Sequence, residues 1–286
     1  MERQDARATL FNLDLARLGF KMPELAEVEY FRRQWNAGIG HCVIKIALHA
    51  DKRVFRGTST RVLRKELAGA RLLTSEVRGK RMLFRFANEN WLGLHLGMSG
   101  KMQTARPDFR PQKHDHFVLY QRERALVFTD ARQFGRVQFH HGKTAPAWWD
   151  NGVPEIVSAK FNRPFLDRFL HRHRKAPTKA VVLMQSGFSG IGNWMADEIL
   201  WRAKILPAKL AGKLSARERA QLFRVTKFVA RESLRIIGPD DSTLPRTWLI
   251  HERWRTGGKC PRHKTILRRA TIGGRTTAWC PKCQRR

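Results

Sequence analysis

Apolar residues recur at three- and four-residue steps from Pro23 to Trp35, at Leu25, Val28, Phe31 and Trp35, and Gly38 and Gly40 end the run. That is the period of an α-helix with one buried face. The pattern then changes to short alternating or continuous apolar runs at Val43 to Leu48, Arg81 to Phe86, Trp91 to Leu96, Phe117 to Tyr120, Ala125 to Phe128 and Arg136 to Phe139, with Gly, Asn, Asp or Pro between them. Short strands separated by turn residues predict an antiparallel sandwich or barrel. Residues 140–154, rich in Gly, Pro, Asn and Trp, read as a connection. Helical periodicity follows near Pro164 to Arg172, Lys179 to Gln185, Asn193 to Ala203 and Ala216 to Ile237.

Composition narrows what this chain handles. Its 286 residues are enough for two domains and a tail. With 56 basic and 24 acidic residues the net charge is +32, interleaved with Trp and Phe, which suits a polyphosphate surface. A basic protein of ribosomal type would bind nucleic acid too. A membrane surface fits less well, because no long basic amphipathic helix runs without acidic interruption. The chain has no apolar run long enough to span a bilayer, and Asp14 and Arg17 interrupt the only hydrophobic stretch of its first 21 residues, so no secretory signal is evident. Gly187, Ser189, Gly190 and Gly192 form a Gly-rich turn opening a helix. Such a turn serves either a phosphate oxygen or close helix packing, and the charge favours phosphate.

The tail carries Cys260-Pro-Arg-His263, sixteen further residues, then Cys280-Pro-Lys-Cys283. Two such knuckles supply the four ligands of one tetrahedral Zn²⁺, and a closed four-ligand site is structural. Zinc thiolates with a leftover Cys42, expected to be a small core residue, fit a reducing compartment, the cytoplasm of a bacterium.

Met22-Pro-Glu-Leu-Ala-Glu-Val-Glu29, Gly79-Lys80, His95-Leu-Gly-Met-Ser-Gly100, Lys113-His-Asp-His116, Asp130-Ala-Arg-Gln-Phe-Gly135, Gly190-Ile-Gly-Asn193 and Gly274-Arg275 through Cys283-Gln284 stand in the order of one family. The chain from Met22 onward resembles the formamidopyrimidine-DNA glycosylase and endonuclease VIII family, and most closely its formamidopyrimidine branch. The resemblance implies an α+β multidomain fold: an N-terminal antiparallel β-sandwich with flanking helices over 22–145, a linker over 146–160, a helix-two-turn-helix bundle over 161–248 and a zinc-finger β-hairpin over 249–286. It implies a bifunctional glycosylase and AP lyase acting as a monomer on damaged double-stranded DNA of the bacterial nucleoid, with one structural Zn²⁺ and no membrane.

Roles carry over by position. Pro23, as a free N-terminal amine, attacks C1′ of the damaged nucleotide, and Glu24 is the general acid/base beside it. Lys80 supports elimination and contacts a phosphate. Arg275 grips the lesion-flanking phosphate and assists the second elimination. Asn193, His95, His114 and Arg174 are backbone contacts. Met98, Arg132 and Phe134 fill the hole left by the extruded nucleotide, which tilts the substrate toward oxidised purines such as 8-oxoguanine and formamidopyrimidines. Endonuclease VIII-like action on oxidised pyrimidines, or a non-catalytic DNA-binding role, are the alternatives.

Four departures stand beside this. Twenty-one residues precede Met22, and an amide nitrogen has no lone pair for attack, so translation starting at Met22 is the favoured resolution over cleavage of the extension or loss of iminium chemistry. Ala26 replaces a proline, His263 replaces a cysteine ligand, and the segment Ile236 to Trp248 is shorter than the loop that covers 8-oxoguanine in well-known members.

Overall fold

The computed structural model of the protein describes residues 22–150 and 152–285. Helix α1 (Leu25–Gln34) is followed by β1 (Lys45–Leu48), helix α2 (Thr60–Leu67) and strands β2 (Leu72–Arg78), β3 (Arg81–Phe86), β4 (Asn90–His95), β5 (Lys101–Ala105), β6 (Asp115–Tyr120), β7 (Ala125–Thr129) and β8 (Arg136–His141). The strands form two antiparallel four-stranded sheets, ordered β1-β6-β7-β5 and β2-β3-β4-β8. A sandwich, not a barrel, is the outcome. Its core takes Phe84, Phe86, Leu92 and Val137 from one sheet and Phe117, Leu119, Leu126 and Phe128 from the other. Trp35 is fully buried there, with its indole N–H donating to the Val127 carbonyl at 3.3 Å.

The alternation predicted six of these strands within a few residues of their ends. It missed β2, β5 and α2. Both missed strands are sheet edges with largely polar sequences, where one row of backbone groups has no neighbouring strand and little alternation is needed. Helix α2 is brief, capped by Ser59 accepting from the Val62 N–H, and buries only Leu63 and Leu67. Cys42, expected in the core, is exposed. The tryptophan-rich connection is packed structure, with Trp149 buried against Leu83 and Trp91 on the outer face of the β2-containing sheet.

Helices α3 (Arg163–Arg172), α4 (Thr178–Val182), α5 (Asn193–Ala203) and α6 (Ala216–Ile236) surround a second core with Phe161, Phe188, Ile199 and Val229 at its centre. Helix α6 opens on a capping box, Ser215 accepting from Glu218 N–H and Glu218 from Ser215 N–H. The tail ends in the hairpin β9 (Arg268–Ile272) and β10 (Arg275–Trp279), bound to no other strand. Among the described residues no helix is long and apolar enough to cross a membrane.

Helix α1 belongs to both cores. Leu25 and Ala26 pack with the helical domain, whereas Val28 and Trp35 pack inside the sandwich. The start of α1 therefore lies at the junction of the two domains.

Candidate active site and nucleic-acid interface

Pro23 and Glu24 are buried immediately before α1. Glu24 is the N-cap of α1 in a capping box with Glu27, whose carboxylate accepts from the Glu24 N–H at 3.2 Å. The Glu24 carboxylate also reaches the start of α5. Its Oε2 accepts from Gly192 N–H at 2.9 Å and Met195 N–H at 3.1 Å, and its Oε1 accepts from Trp194 N–H at 2.9 Å. A side chain at Gly192 would collide with the Glu24 carboxyl carbon, so the glycine makes this approach possible.

This overturns the phosphate reading of the Gly-rich turn. The backbone donors at the helix N-terminus are there, and the anion they hold is a carboxylate of the protein itself. Leu25 N–H donates to the Gly190 carbonyl at 3.0 Å and the Trp194 indole N–H to Glu27 Oε1 at 3.0 Å, so the helical domain fixes the backbone around Pro23 at several points.

Burial raises the Glu24 pKa above the ordinary carboxyl value, against the pull of Lys80, of the Trp194 and Met195 N–H donors and of Lys179. Burial likewise lowers the Lys80 pKa, opposed by Glu24 and Glu27 and assisted by Arg275. The turn carrying Gly79 and Lys80 packs on Ser189 and Gly190, whose carbonyl holds the Leu25 N–H, and the Asn193 amide ties Thr276, next to Arg275, to the start of α5, so the lysine turn and the hairpin both meet the junction at Pro23. An acid biased toward its protonated form beside amines biased toward their neutral form suits proton transfer at neutral pH.

Burial, then Lys80, Arg81 and Arg56, lower the His95 pKa to about 4. Its Nδ1 accepts from Gly97 N–H at 3.0 Å, which leaves the proton on Nε2. Because the unfolded pKa is 6.5, the stabilisation is complete above about pH 6.5 and is lost as pH falls toward 4. Denaturant melts at pH 7 and pH 5 should differ by about 2 kcal/mol from this residue alone, and His95→Gln should reduce that difference. An unchanged difference in the variant would contradict the buried neutral imidazole.

Met98 and the segment Arg132 to Phe134 lie on adjoining turns. Asp130 organises them, accepting from Ser99 Oγ at 2.6 Å and from Gly135 N–H at 2.6 Å, while Arg132 N–H donates to Ser99 Oγ at 3.2 Å. Phe134 is 38% exposed, with the Arg132 guanidinium 4.9 Å from its ring centre. Met98 is half-buried and Arg132 exposed. An exposed phenylalanine on a hydrogen-bonded turn contributes little to the core. The backbone of His114 meets this turn, its carbonyl accepting from Asp130 N–H at 3.0 Å. Arg174 is exposed after α3, its carbonyl accepting from Gly212 N–H at 3.0 Å.

Asn193 is not the N-cap of α5; Gly192 is. The Asn193 amide instead donates to the Thr276 carbonyl of β10 at 2.9 Å. At the hairpin tip Gly273 and Gly274 both have positive φ, and a side chain on Gly273 would strike Ala180 of α4, so the tip lies flat on the helical domain with exposed Arg275 beside it. Sequence reasoning missed Glu27, Trp194, Lys179, Asp197 and Arg253. Only the acidic cluster of the first motif hinted at the first of these.

The sulfurs of Cys260, Cys280 and Cys283 are buried within 4.8 Å of one another. Burial opposes ionisation of Cys260, but the Trp201 indole N–H at 3.3 Å and the backbone N–H groups of His263 and Arg262 outweigh it and lower its pKa. Burial and then the adjacent Cys280 and Cys260 sulfurs push Cys283 up to about 12. Three crowded sulfurs with N–H donors around one of them fit a thiophilic cation. His263 does not join them. Its side chain is exposed and its ring nitrogens lie outside the group, so the fourth ligand expected from spacing is not part of the buried set.

The formamidopyrimidine-DNA glycosylase N-terminal domain model matches residues 22–137, and the formamidopyrimidine-DNA glycosylase H2TH domain model matches residues 153–242. A formamidopyrimidine-DNA glycosylase of Lactococcus lactis subsp. lactis is 30% identical over 93% of this chain and 100% of its own length. One from Laribacter hongkongensis is 33% identical over 92% of this chain and 100% of its own. Among solved structures, the Lactococcus lactis enzyme in complex with a THF-DNA and an inhibitor superposes with a TM-score of 0.82 at 27% identity, covering 92% of this chain and 100% of that one. Its complex with an abasic site containing DNA gives a TM-score of 0.81 at 27% identity over the same shares.

Proposed function

The chain belongs to the formamidopyrimidine-DNA glycosylase family, DNA glycosylases of base excision repair with AP lyase activity, and from that premise we propose that it removes oxidised purines from double-stranded DNA through Pro23. The observation that supports the reading is the junction at Pro23, where the Glu24 carboxylate accepts from three N–H groups at the start of α5, the turn carrying Lys80 packs on Ser189 and Gly190 just before it, and Asn193 bonds the hairpin next to Arg275. The Pro23 amine, once free, attacks C1′. The N–C1′ bond forms, the glycosidic bond breaks, and the base leaves with the proton it needs. Glu24 then gives a proton to the ring oxygen as the C1′–O4′ bond breaks, which opens the sugar to a cationic iminium, and the iminium drives loss of the 3′ and then the 5′ phosphate by elimination. Lys80 and Arg275 stabilise the phosphate charges.

Met98, Arg132 and Phe134 occupy the extrahelical gap, which offsets part of the few kcal/mol of unstacking. Phe134 exposure and the Asp130-held turn support this. The buried cysteine trio holds a structural metal, Zn²⁺ by its ligand chemistry, that keeps the hairpin folded. The protein acts as a monomer in the bacterial cytoplasm.

Two measurements test the reading. Oxidised purines in duplex DNA should be released faster than oxidised pyrimidines; the reverse order would move the protein to the endonuclease VIII branch, as the short segment after α6 would suit. Affinity should fall on the order of a thousandfold between 50 and 200 mM salt if about six to eight phosphates are contacted. A flat salt response would remove the basic surface from the binding mode.

A further inference from the structure

Strand β10 pairs only with β9, so its other edge has no strand beside it. Residues two apart on a strand point their backbone groups to the same side, and on this side lie the Thr276 carbonyl and the Ala278 N–H. Side chains take the place of the missing strand. Thr276 O accepts from Asn193 Nδ2 at 2.9 Å and from Arg253 Nη2 at 3.4 Å, and Ala278 N–H donates to Asp197 Oδ2 at 3.1 Å. Asn193 and Asp197 are four residues apart and share a face of α5.

Asp197 is itself clamped. Arg253 donates to Oδ2 through Nε at 2.9 Å and Nη2 at 2.6 Å, Lys179 Nζ donates to Oδ1, and Lys179 also donates to the Asn193 carbonyl at 2.9 Å. Lys179 and Asp197 are fully buried and Arg253 is 2% exposed, stacked 3.8 Å from the Trp254 ring centre. Two cations and one anion, all desolvated, are a costly way to hold a surface hairpin. The cluster does fix one position of β10, and Arg275 is the residue next to Thr276.

We propose that Asp197 and Arg253 are positioning residues for strand cleavage: they grip the open edge of β10 and so hold Arg275 at the Lys80 and Glu24 centre. This rests on Arg275 acting in the second elimination. Arg253 is the residue to change, because Arg253→Met leaves the neutral Lys179–Asp197 pair intact, whereas replacing Asp197 would strand two buried cations.

The experiment uses enzyme beginning at Pro23, in single turnover on duplex DNA with one abasic site. It compares wild type, Arg253→Met, Arg275→Ala and the double variant, reading borohydride trapping, the first and second strand-cleavage products and Tm. Arg253→Met should slow the second cleavage about ten- to a hundredfold with trapping unchanged, as expected for a displaced but present arginine. The double variant should be no slower than Arg275→Ala alone, because the two act as one unit. A purely structural role would lower trapping and cleavage together, and overturn the proposal. So would a double variant whose loss is the product of the two single losses, or Arg253→Met with full second cleavage while Arg275→Ala is impaired. Wild-type cleavage by Arg275→Ala would instead defeat the role given to Arg275. If Arg253→Met does not fold, Arg253→Lys keeps the charge and decides: a smaller, selective loss of the second cleavage supports the grip, and wild-type cleavage by that variant overturns it.

Discussion

A chain shortened to begin at Pro23 should form a covalent adduct with abasic duplex DNA when borohydride is present, and a chain that keeps residues 1–22 should form none above background. The physical reason is the state of one nitrogen. In the longer chain it is a planar amide whose lone pair is delocalised into the carbonyl; in the shorter chain it is an α-amine, which is less basic than a lysine and is unprotonated part of the time at neutral pH. The surroundings are ready in either case. Pro23 is buried at the junction, Leu25 N–H is tied to Gly190, and the Glu24 carboxylate is fixed by three backbone donors. Borohydride reduces an iminium to a stable amine, so gel shift and intact mass read the chemistry directly. An equal yield of adduct from longer protein shown by mass to be intact would end the assignment of Pro23.

Glu24→Gln should slow release of the damaged base by about 10²- to 10⁴-fold, the range for losing a positioned general acid or base. It should also lower thermal stability. Both carboxylate oxygens accept from backbone N–H groups, so whichever way the glutamine amide turns, its NH₂ faces a donor at the start of α5. A buried donor left without an acceptor costs about 1–3 kcal/mol. The pH profile carries a sign. Burial raises the Glu24 pKa, so its acidic form persists to higher pH than an ordinary carboxyl, and excision should decline as pH rises through that raised value. The variant should lack this limb. A variant that keeps the limb, or that loses stability with no loss of excision rate, would make Glu24 a cap for α5 and nothing more. On DNA already abasic the base has gone before the enzyme arrives, so the strand-cleavage defect should be smaller than the excision defect.

How much of this was legible beforehand varied with sequence distance. The sandwich strands buried on both faces, such as β6 with every residue buried, announced themselves as apolar runs. The edge strands β2 and β5 did not, because an edge satisfies its hydrogen bonds on one side only and tolerates sequences such as Lys101 to Ala105. Phe134 and Met98 look like core residues by type, and only the structure puts them on the Asp130-held turns, with Phe134 exposed and Met98 half-buried. The three cysteines met as their spacing required, while His263 did not, since spacing fixes reach along the chain and leaves side-chain direction open.

The Gly-rich turn before α5 is the sharpest case. Glycines before a helix say that backbone N–H groups will be exposed, and that was correct. Which anion they hold was decided by a residue 168 positions away, when α1 brought Glu24 to Gly192. The hairpin repeats the lesson: Gly273, Gly274 and Arg275 give a tight cationic tip by themselves, but its strand β10 is held against α5 by Asp197, which meets Arg253 and Ala278 across 56 and 81 residues. Local period, turn chemistry, charge and cysteine spacing follow from interactions within a few residues, so the sequence by itself determined most of the elements, a polyphosphate partner class and the meeting of three cysteines. Buried hydrogen bonds between α1, α5 and β10 form only when all three are packed, because an unpaired carboxylate or guanidinium there would be too costly to bury. The tertiary structure alone therefore decided which buried groups meet around Glu24 and along the edge of β10.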